Sequence, residues 1–251
     1  MKQTELFENE HIEYLRADFG LVVSPRHTFG TDALLLADFA APKRKTVACD
    51  LGTGCGIIPM LWCRDGLCAR VDGVEIQEAG YGQFQRTIAA NDLTEKAFAH
   101  LSDLKTLQTV LQTETYDLVT MNPPYKAENT GFLSESAHEK IARHETACTL
   151  KDIAASSARL LKYGGRVCIC IRPERLFEAM QAFAEKGLEP KRLRTVSKNA
   201  ESAPWLCLLE ARKGGKHGLQ VLPALFVYDE NGNLSAEMRR IYGPYKEEGQ
   251  A

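Results

Sequence analysis

The chain has 251 residues, and its 31 Lys and Arg against 33 Asp and Glu leave a net charge of −2. This balance excludes a protein that coats nucleic acid non-specifically, but it leaves room for a local basic face. At 44% hydrophobic and 25% charged the composition is that of an ordinary globular chain, with no apolar run of about 18 residues to cross a membrane and no signal-like start in "MKQTELFENE".

In chain order, "HIEYLRADFGLVVSP" (11–25) predicts a short helix followed by an extended piece. In "RHTFGTDALLLADFAAP" (26–42), Thr31 can cap a helix whose apolar residues are Ala33–Leu36 and Phe39–Ala40, closed by Pro42. A βαβ alternation follows. "TVACD" (46–50) reads as a strand, then a glycine loop and the helix "IIPMLWC". "VDGVE" (71–75) is a strand before a helix from about Glu78 to Asn91, and "AFAHLSD" (97–103) is a weaker strand. "YDLVTM" (116–121) is a strong strand. "LKDIAASSARLLKYGG" (150–165) reads as an amphipathic helix stopped by glycine, before the buried strand "RVCICI" (166–171). "PERLFEAMQAFAEKG" (173–187) has proline at its start and glycine at its end, as a helix does. "KRLRTVS" and "WLCLLEARK" are two strands close in sequence, and "DENGN" in the tail is a turn. Short buried strands alternating with helices predict an α/β fold, a mainly parallel sheet with helices on both faces and an antiparallel edge.

The eight cysteines form no C-x-x-C pair and no Cys/His group with zinc spacing, so neither disulfides nor a metal site are expected. Free thiols in a leaderless chain fit a reducing cytoplasm.

"CDLGTGCGII" (49–58) puts Gly52, Gly54 and Gly56 directly after the first core strand, where the backbone can turn tightly and approach a ligand. Glu75 ends the next strand and can accept hydrogen bonds from ribose hydroxyls. The spacing is G-x-G-x-G rather than the dinucleotide G-x-G-x-x-G, and Asp50 lies two residues before the first glycine. A carboxylate there would repel a pyrophosphate but suits the sulfonium and ammonium of S-adenosylmethionine (SAM). A tight β-to-α turn with no ligand is the bland alternative. Asp103 could hydrogen-bond an adenine amino group or simply cap a helix.

"NPPY" (122–125) follows the fourth core strand and therefore lies on the same rim as the glycine loop. The lone pair of an adenine amine is delocalised into its ring, so methylating it calls for acceptors that bind its hydrogens and favour a pyramidal nitrogen. The Asn122 side-chain oxygen and the carbonyl of Pro123, fixed by the Pro123–Pro124 pair, can be those acceptors, and Tyr125 can stack on the base. Taken alone, the tetrapeptide is also common turn chemistry.

This combination resembles the Rossmann-like SAM-dependent N-methyltransferases. The flanks "FGTDALLLADFA" (29–40), "NPPYKAENTGF", "ARHE" (142–145) and "PALFVYDENGNLSAEMRRIYG" resemble the bacterial tRNA1(Val) adenine-N6-methyltransferase family. The resemblance implies a seven-stranded, mainly parallel sheet with an antiparallel terminal hairpin. It implies one methyltransferase domain: a capping segment (1–44), a SAM-binding core (45–212) and a C-terminal extension (213–251). It implies that Asp50, Gly52, Thr53, Gly54, Gly56, Glu75, Ile76, Asp103 and Asn122 line the cofactor site, with Phe29, Thr31 and Asp32 closing over it. It implies Asn122, Pro123, Pro124 and Tyr125 as the catalytic motif, and methylation of the adenine 3′ of the anticodon. Arg143 and His144 are candidates for the target pocket. Lys191, Arg192, Arg194 and Lys198 belong to a stretch from Lys186 to Lys216 with eight Lys and Arg against three Glu, readable as a phosphate-contacting face or as a solvated one. A cytoplasmic monomer acting on a tRNA anticodon stem-loop, without metal or membrane, is the expectation. Release-factor glutamine or guanine-N2 methylation, or a non-catalytic RNA-binding role, are the alternatives.

Overall fold

The computed structural model describes residues 1–123 and 148–247. Its first element is an antiparallel hairpin of β1 (His11–Arg16) and β2 (Phe19–Val23), where the sequence pattern predicts a helix. The helix formers in "EYLR" lose to tertiary contacts. All of β2 is buried, the Val22 amide donates to Thr87 Oγ1 at 2.9 Å, and Asn91 Nδ2 donates to the Gly20 carbonyl at 2.8 Å.

Helix α1 (Thr31–Ala40) precedes the core. Its N-cap is Gly30, not Thr31, and the helix carries no side-chain cap. Thr31 stands one residue inside the helix, with its hydroxyl 2.9 Å from the Tyr242 hydroxyl, so the tail competes successfully for the group that could have capped. Then follow β3 (Val47–Leu51), α2 (Ile57–Arg64), β4 (Arg70–Glu75), α3 (Glu78–Ala90), β5 (Ala97–Leu101) and β6 (Tyr116–Met121). After Cys148 come α4 (Leu150–Leu160), β7 (Leu161–Ile171), α5 (Leu176–Ala184), β8 (Leu188–Ser197) and β9 (Pro204–Lys213). Glycines 164 and 165 do not stop the helix where the sequence suggests. They lie inside β7, where the pairing with β6 jumps from Tyr116↔Leu161 to Leu118↔Arg166. A Cβ on Gly165 would sit 3.0 Å from the Tyr116 carbonyl, so the close backbone approach needs glycine.

The sheet order β8-β9-β7-β6-β3-β4-β5 is parallel except for β9, which runs antiparallel to both neighbours. This is the expected mainly parallel sheet with a reversed terminal hairpin. Alternation along β7 serves both faces. Cys168 and Cys170 join the core beneath α1 and α2, while Val167, Ile169 and Ile171 join the core beneath α4 and α5. Because the strands other than β9 are parallel, residues Leu51, Glu75 and Met121 all end on one rim.

The tail adds two short strands, β10 (Gln220–Val221) and β11 (Leu225–Phe226), both parallel to the edge strand β8. Helices α6 (Ala236–Tyr242) and α7 (Pro244–Glu247) then cross back to the N-terminal segment. Arg194 grips Glu237 through two hydrogen bonds of 2.7 and 2.8 Å, Arg240 grips Asp38 at 2.6 and 2.9 Å, and the Tyr245 ring packs 5.7 Å from that of Phe29. The pKa of the Glu237 carboxyl is held below its ordinary value, chiefly by its hydrogen bond with Arg194. Its contribution to stability is therefore present above the unfolded carboxyl range and lost as pH falls through the depressed value. Glu237→Gln is expected to lower stability by about 1 kcal/mol at neutral pH, with the difference vanishing in acid. Urea denaturation at pH 7 and pH 3.5 reads this, and equal losses at both would contradict it.

Among the described residues no helix is long and apolar enough to cross a membrane.

Candidate active site

The rim carries a cleft of about 380 Å3, within the size range of small-ligand sites. Its floor is the turn from β3 into α2. Gly56 adopts φ +86°, and a Cβ there would lie 2.0 Å from the Phe84 ring, so only glycine lets α2 start this close to α3. At Gly54 a Cβ would meet nothing within 4 Å, because that part of the loop faces the open cleft.

Glu75 organises this floor. Its Oε2 accepts from the Gly54 amide at 2.9 Å, and its Oε1 accepts from the amides of Ile76 and Gln77, each at 2.9 Å. A carboxylate offers about four acceptor positions, so one remains for a ligand hydroxyl. Asp50 is 2% exposed and accepts from the Thr120 hydroxyl at 2.7 Å. That bond ties the strand carrying the glycine loop to the strand carrying Asn122. Burial pushes the Asp50 carboxyl up to about 7, Thr120 pulls the other way, and nearby Glu75 adds to the rise.

Asn122 follows β6 directly and lines the same cleft. Its Oδ1 lies 3.0 Å from the buried Cys170 thiol on the neighbouring strand, which donates to it. Pro123 is buried. Ile76, 47% exposed, offers an apolar face at one end of the cleft. Asp103 also lines it, while Oδ1 of the same carboxylate accepts from the Lys105 amide at 2.9 Å. The two readings of Asp103 are thus compatible: it caps the 3-10 turn Leu104–Thr109 and faces the cleft.

Of the capping segment, Phe29 lines the cleft, whereas Thr31 turns to Tyr242 and Asp32 is not among the lining residues. Arg26, His27, Thr28 and Gly30 line it as well, and sequence reasoning missed them. Their signal was faint, since nothing in "SPRHTFG" shows that a turn would fold over the glycine loop. Cys148 was missed for the same reason.

Three of the four basic residues offered to RNA have internal partners. Lys191 Nζ donates to the carbonyls of Lys216 and Gly218 at 2.8 and 2.6 Å. Arg192 binds Glu210 at 2.6 Å and stacks 4.6 Å above the Phe39 ring. Arg194 holds Glu237. Lys191 and Arg194 secure the tail to the sheet edge, while Arg192 ties β8 to β9 and to α1. Lys198 is exposed at the carboxyl end of β8, on the rim that carries Asn122. Pro124, Tyr125, Arg143 and His144 lie outside the described residues.

A mainly parallel sheet with one reversed strand, a glycine loop braced by a carboxylate and an asparagine across the cleft define a Rossmann-like SAM-dependent methyltransferase. The methyltransferase small domain family model matches residues 22–186. A tRNA1(Val) (adenine(37)-N6)-methyltransferase of Cronobacter sakazakii is 30% identical over 182 residues, 72% of this chain and 73% of that protein. One of Porphyromonas gingivalis is 24% identical over 225 residues, 86% and 87% of the two chains. The crystal structure of a predicted O-methyltransferase from Agrobacterium tumefaciens superposes with a TM-score of 0.68 at 18% identity, covering 86% of this chain and 97% of its own. The chain belongs to the methyltransferase small domain family and, within it, to the tRNA1(Val) (adenine-N6)-methyltransferases.

The residues present fit SAM. Open space over Gly54, a free acceptor position on Glu75 and the acid Asp50 suit a ribose and a cationic sulfonium. Binding of that cation favours the ionised form of Asp50. SAM affinity is therefore expected to rise roughly fivefold between pH 6 and pH 7.5, and to be flat over that range in Asp50→Asn. The ligand-free protein carries the opposite trend. A raised folded-state value makes Asp50 lower stability as pH climbs from about 4 to about 7. Calorimetric titration at the two pH values checks the first statement, and an unchanged affinity in the parent protein would refute it.

Proposed function

We propose that this protein methylates N6 of the adenine 3′ of the anticodon, position 37, in tRNA1(Val), acting as a monomer on the anticodon stem-loop. The observation that carries this reading is the placement of Asn122 at the end of β6, in one cleft with Asp50, Gly54 and Glu75, with Pro123 directly after it in the chain. Bound SAM supplies an electrophilic methyl group on a sulfonium. The protein's task is then to hold a weak amine nucleophile in line with that group. Asn122 Oδ1 accepts one amine hydrogen and the Pro123 carbonyl accepts the other, which favours the pyramidal nitrogen of the transition state. The Cys170 thiol keeps the oxygen of the Asn122 amide, rather than its NH2, fixed by an acceptor–donor contact. The sequence motif assigns Tyr125, outside the described residues, to stacking on the base. After transfer the nitrogen is acidic, and its proton leaves through these acceptors to water. Little flipping is needed, because a loop base is already partly unstacked. Lys198 on the same rim serves a phosphate, and Arg143 and His144 shape the pocket around the base.

The names of the relatives support tRNA as the substrate. The test is methyl transfer from labelled SAM to three acceptors in parallel: whole tRNA, release factor and ribosomal RNA. Label in tRNA as N6-methyladenosine is expected. Label confined to release factor or ribosomal RNA would overturn the substrate assignment.

A further inference from the structure

Among the described residues that line the cleft, Arg26 is the sole Lys or Arg. It stands in a tight turn closed by two backbone hydrogen bonds, Ser24 N to His27 O and His27 N to Ser24 O, each 3.1 Å. The neighbouring His27 ring locates that turn. A Cβ on Gly80 would lie 2.9 Å from His27 Cδ2, 3.2 Å from Glu75 Cγ and 3.3 Å from the Gly54 carbonyl, so the turn is seated against the cofactor floor. Arg26 itself is exposed and makes no hydrogen bond or ion pair within the described residues. This sets it apart from Arg16, Arg70, Arg86, Arg192, Arg194 and Arg240, each paired with a carboxylate.

The remaining charges of the cleft are acidic: Asp50, Glu75 and Asp103. They complement the sulfonium and ammonium of the cofactor. They repel its third charged group, the α-carboxylate of the methionyl end, which needs a cation or an array of amides. We infer that Arg26 binds the SAM carboxylate and thereby selects the intact methionyl cofactor over derivatives that lack it. A guanidinium meets a carboxylate in a two-pronged geometry that an ammonium lacks, so arginine is the suitable residue. An exposed side chain that lines the cleft without a partner among the described residues is available to a ligand there.

The inference concerns cofactor binding and is read without RNA, so its failure is separate from failure of the tRNA assignment. Calorimetric titrations of the parent protein, Arg26→Ala and Arg26→Lys use two probes: SAM and its decarboxylated form, S-adenosylmethioninamine, which keeps the sulfonium and ammonium. Arg26→Ala is expected to weaken SAM about tenfold and to leave the decarboxylated probe within about twofold of the parent. Arg26→Lys recovers part of the SAM loss. Equal losses on both probes would show that the substitution merely disturbs the cleft, and would overturn the inference. Unchanged SAM affinity with a raised KM for RNA would overturn it too, by assigning Arg26 to a phosphate.

Discussion

Asn122→Ala is expected to slow methyl transfer at least about 100-fold at saturating SAM, with SAM affinity within about twofold of the parent. Asn122 borders the cleft, but the acceptor role proposed for its Oδ1 toward the amine is exercised only when the nitrogen pyramidalises. Its loss therefore falls on kcat rather than on ground-state binding. Alanine also leaves the Cys170 thiol, 0% exposed, without its Asn122 acceptor. That costs little, because a thiol is a weak donor. Asn122→Asp keeps an acceptor at the same place and is expected to retain more activity than Asn122→Ala. Initial rates with tRNA, paired with calorimetric SAM titration, test this. A rate within tenfold of the parent would place the chemistry elsewhere.

Glu75→Ala is expected to have the largest effect on the cofactor, a loss of SAM affinity of about 100-fold or more. The side chain does two things at once. It leaves one acceptor position open toward the cleft, and it satisfies the amides of Gly54, Ile76 and Gln77. Removing it leaves three amides of the cofactor floor unpaired, at about 1–3 kcal/mol for each that stays dry. Glu75→Gln is expected to recover little. An amide restores one acceptor oxygen, but its NH2 points donors at donors. SAM titration combined with thermal melting reads both parts. Full affinity in Glu75→Ala would mean that the glycine loop holds its shape unaided.

Much of this arrangement was legible in the sequence because it depends on local chemistry. Gly54 and Gly56 both adopt a positive φ, a local property of the backbone, whereas the Phe84 ring that crowds Gly56 comes from a different helix and left no local sign. The buried strands of the core showed themselves by apolar runs with no competing pattern. Glu75 was legible as an acid at a strand end, but its bracing of the loop was not, since backbone amides leave no trace in side-chain identity. The tail was the least legible. Arg192 and Arg194 look like an RNA face in one dimension. Their partners, Glu210, Phe39 and Glu237, are distant in sequence except for Glu210, and nothing local announces them. Thr31 shows the same limit, its hydroxyl going to Tyr242, 211 residues away. Phe29, a neighbour of Arg26 in the cleft lining, was found through a resembling motif, whereas Arg26 belongs to a turn whose position only the folded chain reveals.

The central claim is that Asn122 and the glycine-loop cleft methylate one adenine in one tRNA. Its most direct test is nucleoside mass spectrometry of tRNA1(Val) incubated with the protein and SAM, mapped by fragment to position. The account predicts a single N6-methyladenosine at position 37, absent when Asn122→Ala replaces the parent. N6-methyladenosine at another position, methylation of a different base, or an unchanged product with Asn122→Ala would contradict it.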